Sequence, residues 1–120
     1  MSSMAKLRSL VRDYFLEREC EEVPSGDLGD VADLVFRDAN NVIAVKVLDV
    51  MGLSTVKARE VIENSILSLA SETSIDKAYV AVRTSKSAVL PSVSYFKSSG
   101  VGLLLISEGA VSEKVPARPK

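Results

Sequence analysis

The chain has 120 residues, of which 47% are hydrophobic and 26% are charged, and its formal net charge is −1. This composition is typical of a globular domain, and the length suits a single domain over residues 1–120. The charge balance argues against non-specific nucleic-acid binding, which usually depends on a basic surplus. Because the sequence has no histidine, Ser-His-Asp, Cys-His and His-ligated zinc sites are excluded. A metal site would have to use oxygen ligands, as magnesium and manganese sites do.

The sequence predicts a cytoplasmic protein with no membrane association. No apolar run approaches the roughly 18 residues that cross a bilayer. The N-terminal sequence MSSMAKLRSLVRDYF lacks the apolar region and the cleavage site of a signal peptide. The single cysteine, Cys20, cannot form an intramolecular disulfide, which fits a reducing compartment.

The first half of the chain predicts a helix followed by a β-hairpin. Apolar residues at helical spacing indicate a helix that starts at Met4 and ends near residues 18–20. A short strand over residues 20–23 precedes a break at Pro24, Gly26 and Gly29. Strands over residues 31–36 and 42–50 are joined by the polar turn 37–41, which makes them a hairpin. The second of these strands is apolar on both faces, so we expect it to be central in the sheet.

The second half predicts strand-helix-strand crossovers. Ser54 or Thr55 caps a helix whose apolar stripe ends at Ala70. A strand over residues 77–82, a short helix over 89–98 and a strand over 101–106 follow, then an edge strand over 111–115. The tail, residues 115–120, is expected to be frayed. Such crossovers imply parallel pairing within a mixed central sheet flanked by helices.

Two residues of the predicted hairpin are charged although the strand segments around them are mostly apolar. Asp33 opens the first strand, and Lys46 lies in the middle of the apolar second strand. In a structural interpretation, Lys46 extends its ammonium to the sheet end, and Asp33 caps a turn or pairs with the lysine. In a functional interpretation, both belong to a site. From Glu19 to Asp33 the chain has six acids and no lysine or arginine, which fits either a solvated loop or the rim of a cation site.

The element order, with Asp33 and Lys46 in the hairpin, resembles the PD-(D/E)XK superfamily of nucleases. This superfamily has the restriction-endonuclease-like fold and includes the archaeal Holliday junction resolvases. Its pattern is an aspartate, a variable gap, and then an acidic residue, any residue and a lysine. Here Asp33 is separated by ten residues from Ala44-Val45-Lys46. Ala44 stands where the superfamily has a carboxylate, and Ala32 stands where it often has a proline.

The resemblance implies a nuclease in which two carboxylates hold magnesium or manganese and a lysine assists the attacking water. It assigns the metal and catalysis to Asp33 and catalysis to Lys46. Without an acid at position 44, Asp33 would tend to form an ion pair with Lys46, and this pair would compete with metal binding. In some members of the superfamily the acid has moved to the neighbouring helix. Candidates to replace the missing acid are Glu60 as a metal ligand on that helix, and Glu17, Glu19 and Asp30.

Two hypotheses follow. The first is a nuclease-fold protein that has lost its metal site, needs no cofactor, and acts as a nucleic-acid-binding or protein-interaction module. The alternative is an active Mg- or Mn-dependent DNA endonuclease with a relocated acidic ligand. The resemblance also implies a homodimer, with DNA or a protein as partner. A Rossmann-like small-molecule binder fits the element order as well, but no glycine-rich phosphate loop follows a strand.

Overall fold

The computed structural model describes residues 3–84 and 89–120, in which three helices flank a six-stranded mixed sheet. The predicted α/β class is therefore confirmed. Within the described residues, no helix has the length and apolarity needed to cross a membrane. Two short 3-10 helices, Gly26–Asp30 and Leu90–Ser92, complete the structure. The helices and strands are α1 (Met4–Leu16), β1 (Glu21–Val23), β2 (Leu34–Arg37), β3 (Val42–Asp49), α2 (Thr55–Ala70), β4 (Lys77–Arg83), α3 (Val93–Ser99), β5 (Gly102–Ser107) and β6 (Ala110–Val115).

The strands lie in the sheet in the order in which they occur in the chain, from β1 at one edge to β6 at the other. β3, β4 and β5 are parallel, and the remaining neighbours are antiparallel. The parallel pairs are connected through α2 and α3, as the sequence predicted. The turn between β2 and β3 is held by Asp38, whose Oδ1 accepts hydrogen bonds from the amides of Asn40 and Asn41.

The sheet separates two apolar clusters, because successive side chains of a strand point to opposite faces. Helix α1 packs on one face against residues of β3 that include Val45, which is 0% exposed. Helices α2 and α3 cover the other face, where Ala44 is also 0% exposed. The prediction that β3 is a central strand buried on both faces is confirmed.

The structure differs from prediction where β2 begins. The strand starts at Leu34 and not at Val31, because a 3-10 helix and a turn occupy the preceding residues. The Ala32 amide donates to the carbonyl of Leu28 at 2.9 Å, which keeps this segment out of the sheet. Val31 is nonetheless packed against the apolar cluster under α2, which explains its strand-like apolar character.

The last residues are docked and not frayed. The Arg118 amide donates to the carbonyl of Gly100 at 2.9 Å, and the Lys120 amide donates to that of Asp76 at 2.8 Å. The Arg118 guanidinium also donates to two carbonyls at the C-terminal end of α3, and the Lys120 ammonium to two at the C-terminal end of α2. Carbonyls at a helix C-terminus have no partner within the helix and attract cations. The composition of the tail gave no sign of these acceptors.

Candidate functional site

The candidate site lies where β2 ends and no longer pairs with β3. β2 pairs with β3 from Val42 to Val45, and among the described residues no other strand neighbours the rest of β3 on that side. At this point the Asp33 amide donates to the carbonyl of Val45 at 2.9 Å. Its carboxylate Oδ2 accepts a hydrogen bond from the Val47 amide at 2.7 Å. Asp33 therefore satisfies a backbone group that the sheet leaves open.

The same carboxylate oxygen faces Lys46. The Lys46 Nζ lies 3.7 Å from Asp33 Oδ2, and the two side chains are 33% and 23% exposed. The ion pair predicted from the sequence is confirmed. Oδ2 is thus shared between an amide and an ammonium, and within the described residues Oδ1 has no hydrogen-bond or ion-pair partner.

Lys46 lies on the α2 side of the sheet, in a pocket of about 130 Å³. The helix contributes three neutral polar residues to this pocket, and the segment before β2 contributes Asp30 and Val31. The residues from α2 are Asn64, Ser65 and Ser68. These positions lie beside the buried stripe of the helix, and an acid that had moved from β3 to α2 would have to occupy one of them to face Lys46.

Ala44 shares the sheet face of Lys46 but belongs to the apolar core. It is 0% exposed and packs in the cluster that α2 covers. Burial of an ionised carboxylate without partners costs several kcal/mol in typical cases. The position at which the resemblance expects a carboxylate is thus occupied by a close-packed methyl group.

The other candidate acids lie apart from the Asp33–Lys46 pair, with one exception. Asp30 lines the Lys46 pocket. Glu60 is 58% exposed, and its Oε2 lies 3.9 Å from Lys57 Nζ. It is located on α2 one helical turn before Asn64, the first helix residue that lines the pocket. Glu17 lies on the α1 side of the sheet, in a groove beside the turn that precedes β6. Glu19 follows α1 in a left-handed conformation, with φ of 63°.

Over residues 3–84 and 89–120, no group of three or more Asp, Glu, Cys or His side chains is placed to hold a metal ion. The pocket is lined by the Lys46 ammonium, the Asp30 carboxylate, and hydroxyl and amide groups that can donate or accept hydrogen bonds, and the Asp33 carboxylate is paired with Lys46. Such a set can bind a polar ligand. Of its two carboxylates, that of Asp33 is already engaged by the Val47 amide and the Lys46 ammonium.

Sequence reasoning did not identify Asn64, Ser65 and Ser68 as residues of the site. The signal was present in the spacing of α2, since its buried positions Ile62 and Ile66 fix which flank of the helix faces the sheet. Placing that flank above Lys46 requires the parallel register of β3 and β4, which comes from tertiary structure.

A second ion pair lies on the opposite face of the sheet. Arg83 Nη1 lies 3.2 Å from Asp49 Oδ1 and joins the C-terminal ends of β3 and β4. Asp49 therefore faces away from Lys46. Comparison with protein-family models, with curated proteins and with solved structures found no match to this chain. Fold and site together define an α/β domain whose sheet carries a partly exposed lysine–aspartate pair.

Proposed function

We propose that this chain is a restriction-endonuclease-like domain without a working metal site, and that it acts as an interaction module. One observation carries this proposal: the Asp33 carboxylate is engaged by the Val47 amide and the Lys46 ammonium, and the neighbouring position 44 is a buried alanine. The element order supports the nuclease likeness, since a helix and a hairpin bearing Asp33 and Lys46 precede two parallel crossovers.

Magnesium chemistry argues against an active site at this pair. Magnesium prefers near-octahedral oxygen coordination and is commonly held by one or two carboxylates together with phosphate oxygens. An ammonium 3.7 Å from the carboxylate of Asp33 repels a divalent cation that approaches the same group. A second carboxylate could offset this repulsion; the helix positions that face Lys46 are neutral, and the carboxylate that lines the pocket is Asp30, which precedes β2.

The first experiment is a cleavage assay on duplex, flap and four-way-junction DNA with magnesium or manganese, with Asp33→Ala in parallel. We expect no cleavage by either protein. Cleavage that is lost in Asp33→Ala would contradict the proposal and support the alternative, an active endonuclease. Glu60→Gln would then test whether Glu60 is the relocated ligand, with Glu63→Gln on the same helix as its control.

A second experiment tests the nuclease alignment itself. Ala44→Glu restores the superfamily pattern but places a carboxylate in the core. Ser65→Asp and Ser68→Asp instead add it on the helix flank that lines the Lys46 pocket. If the site has nuclease geometry, manganese affinity should rise above that of the control Ser71→Asp, which follows the helix outside the pocket. No gain in any of these variants would count against the alignment.

The partner is proposed to be a protein, with DNA as the other candidate and a homodimer as the proposed assembly. The net charge of −1 favours protein over nucleic acid, because phosphate backbones attract a basic surplus. Fluorescence anisotropy on the same three DNA substrates, without metal, tests DNA binding. Sedimentation over a range of concentrations tests self-association. Salt-sensitive binding to all three DNAs would reverse this preference.

A further inference from the structure

A groove separate from the Lys46 pocket lies on the α1 side of the sheet. It has a volume of about 360 Å³ and runs between α1 and the hairpin of β5 and β6. Its walls come from both elements: Leu10, Asp13, Tyr14, Glu17, Arg18, Gly109, Ala110 and Val111. The groove and the Lys46 pocket lie on opposite faces of the sheet, so binding in the groove does not require the function proposed for the pocket.

The groove runs beside an open strand edge. Among the described residues β6 pairs only with β5, and it forms one edge of the sheet. Glu108 and Gly109 both have positive φ, 52° and 75°, as in a tight two-residue hairpin turn. In such a hairpin the two residues that flank the turn, here Ser107 and Ala110, form both backbone hydrogen bonds with each other. The backbone N–H and C=O groups of the next residue on each strand point away from the partner strand. The N–H and C=O groups of Val111 and Glu113 are thereby directed away from β5.

The groove is acidic, with an apolar floor. Asp13 and Glu17 lie one helical turn apart on α1, and neither carboxylate forms an ion pair within the part of the chain that the structure describes. Of the residues that line the groove, Arg18 is the cation. Its guanidinium lies 3.5 Å from the centroid of the Tyr14 ring, and its Nη1 donates to the Tyr14 carbonyl. The groove therefore carries two carboxylates and one guanidinium, and that guanidinium already contacts Tyr14.

Glu113 adds a third carboxylate on the same face of the sheet. It accepts a hydrogen bond from the Tyr79 hydroxyl at 3.3 Å. Burial, and then Glu113, raise the pKa of Tyr79 to about 12. Burial also raises the pKa of Tyr14; the Arg18 guanidinium opposes this effect and Glu113 adds to it. Both tyrosines thus experience the negative potential of the carboxylate at this edge of the sheet.

We propose that this groove and the β6 edge bind an extended segment of a partner protein that carries lysine or arginine at alternate positions. Open strand edges recruit extended peptides through main-chain hydrogen bonds, and side-chain pockets provide the specificity. Alternate residues of an extended segment share one face, so the basic side chains of such a segment meet Asp13, Glu17 and Glu113 together. Opposite charge selects this segment over an acidic or an apolar one.

The test uses a fluorescein-labelled peptide of alternating lysine and valine, about eight residues long, as strands commonly are. Its binding to the full chain is measured by fluorescence anisotropy and by amide chemical shifts of residues 110–113. We expect saturable binding that shifts these amides. A matched peptide with glutamate in place of lysine should not bind. A third peptide, N-methylated at alternate amides so that it cannot pair with β6, should bind at least tenfold more weakly, a loss of about 1.4 kcal/mol.

Two double variants test the contribution of the charges. Asp13→Asn/Glu17→Gln should weaken peptide binding about fivefold, as expected for two partly exposed ion pairs. The control Glu21→Gln/Asp27→Asn removes the same charge near the opposite edge of the sheet and should bind like the unaltered chain. The proposal is overturned by equal binding of the lysine and glutamate peptides, by equal losses in the two double variants, or by binding that N-methylation leaves unchanged. The absence of any binding at millimolar peptide would also overturn it.

Discussion

At the scale of single residues, Asp33 combines a backbone role with an electrostatic one. One oxygen of its carboxylate accepts the Val47 amide and faces the Lys46 ammonium. When a buried amide loses its acceptor, the free energy of unfolding falls by more than the net contribution of the hydrogen bond. The reason is that the amide then has neither a protein partner nor water. The amide contact should therefore contribute more to stability than the ion pair, which is partly open to solvent.

This difference predicts the order of three substitutions. Asp33→Ala should lower the free energy of unfolding by about 1–3 kcal/mol, since it removes the acceptor of Val47. Asp33→Asn should cost less, because its amide oxygen can still accept. Lys46→Met removes the ammonium and keeps the stem, and should cost less than about 1 kcal/mol. Urea unfolding at neutral pH measures all three, and a larger loss in Lys46→Met than in Asp33→Ala would contradict the assignment.

Tyr79 gives a prediction on alkaline stability. Its pKa in the folded chain is about 12, against 10.0 in the unfolded chain. Between these values the unfolded state releases a proton that the folded state keeps, so the free energy of unfolding falls as pH rises through this window. A single titrating group changes the free energy of unfolding by at most about 1.4 kcal/mol per pH unit. Tyr79→Phe should flatten the decline measured by urea unfolding, and a decline as steep as that of the unaltered chain would contradict this assignment.

At the scale of elements, α2 is held at both ends by groups outside the helix. At its start, Ser54 Oγ accepts the amide of Lys57 at 3.1 Å, as the sequence predicted. At its end, the Lys120 ammonium donates to the carbonyls of Leu69 and Glu72. Burial lowers the pKa of this ammonium, and Glu72 opposes that effect. The tail thus joins the C-terminal end of α2 to the rest of the domain.

The tail contacts predict a measurable loss of stability. Arg118→Met/Lys120→Met removes the donors at two helix ends and should lower the free energy of unfolding by about 1–2 kcal/mol, since each cation at a helix C-terminus contributes up to about 1 kcal/mol. Lys114→Met, on the exposed part of β6, should change it little and serves as the control. Equal effects of the two variants in thermal or urea unfolding would show that the tail contacts do not stabilise the domain.

How much the sequence could predict depended on whether the signal was local. The turn at Asp38, the cap at Ser54 and the central position of β3 follow from neighbouring residues, and the structure confirms them. The 3-10 helix before β2 is held by local hydrogen bonds, but the apolar Val31, which packs against the cluster under α2, gave its end a strand-like pattern. The acceptors of Arg118 depend on contacts between distant segments, which no local pattern encodes. The neutral flank of α2 above Lys46 is also defined only by the assembled sheet.

At the scale of the whole molecule, the two apolar clusters share the same strands. β3, β4 and β5 contribute alternate residues to the cluster under α1 and to the cluster under α2. Loss of either cluster would expose one face of the same central strands. We therefore expect both to unfold together, as in small domains that unfold in a single cooperative transition.

Two matched substitutions test this coupling. Ile43→Val trims the cluster under α1, and Ile66→Val trims the cluster under α2; each should cost about 0.5–1.5 kcal/mol. In both variants, circular dichroism and tyrosine fluorescence should report the same unfolding midpoint, since the chain has three tyrosines and no tryptophan. Midpoints that separate between the two probes in either variant would show that the clusters unfold independently.

The backbone contact of Asp33 has a consequence for how such chains are interpreted. An aspartate that accepts a backbone amide beside the sheet stabilises the fold whether or not it ever meets a metal ion. The presence of this aspartate is therefore no measure of nuclease chemistry in a chain with this hairpin. Position 44 is more informative, because a carboxylate there would lie in the apolar core and would have no folding role.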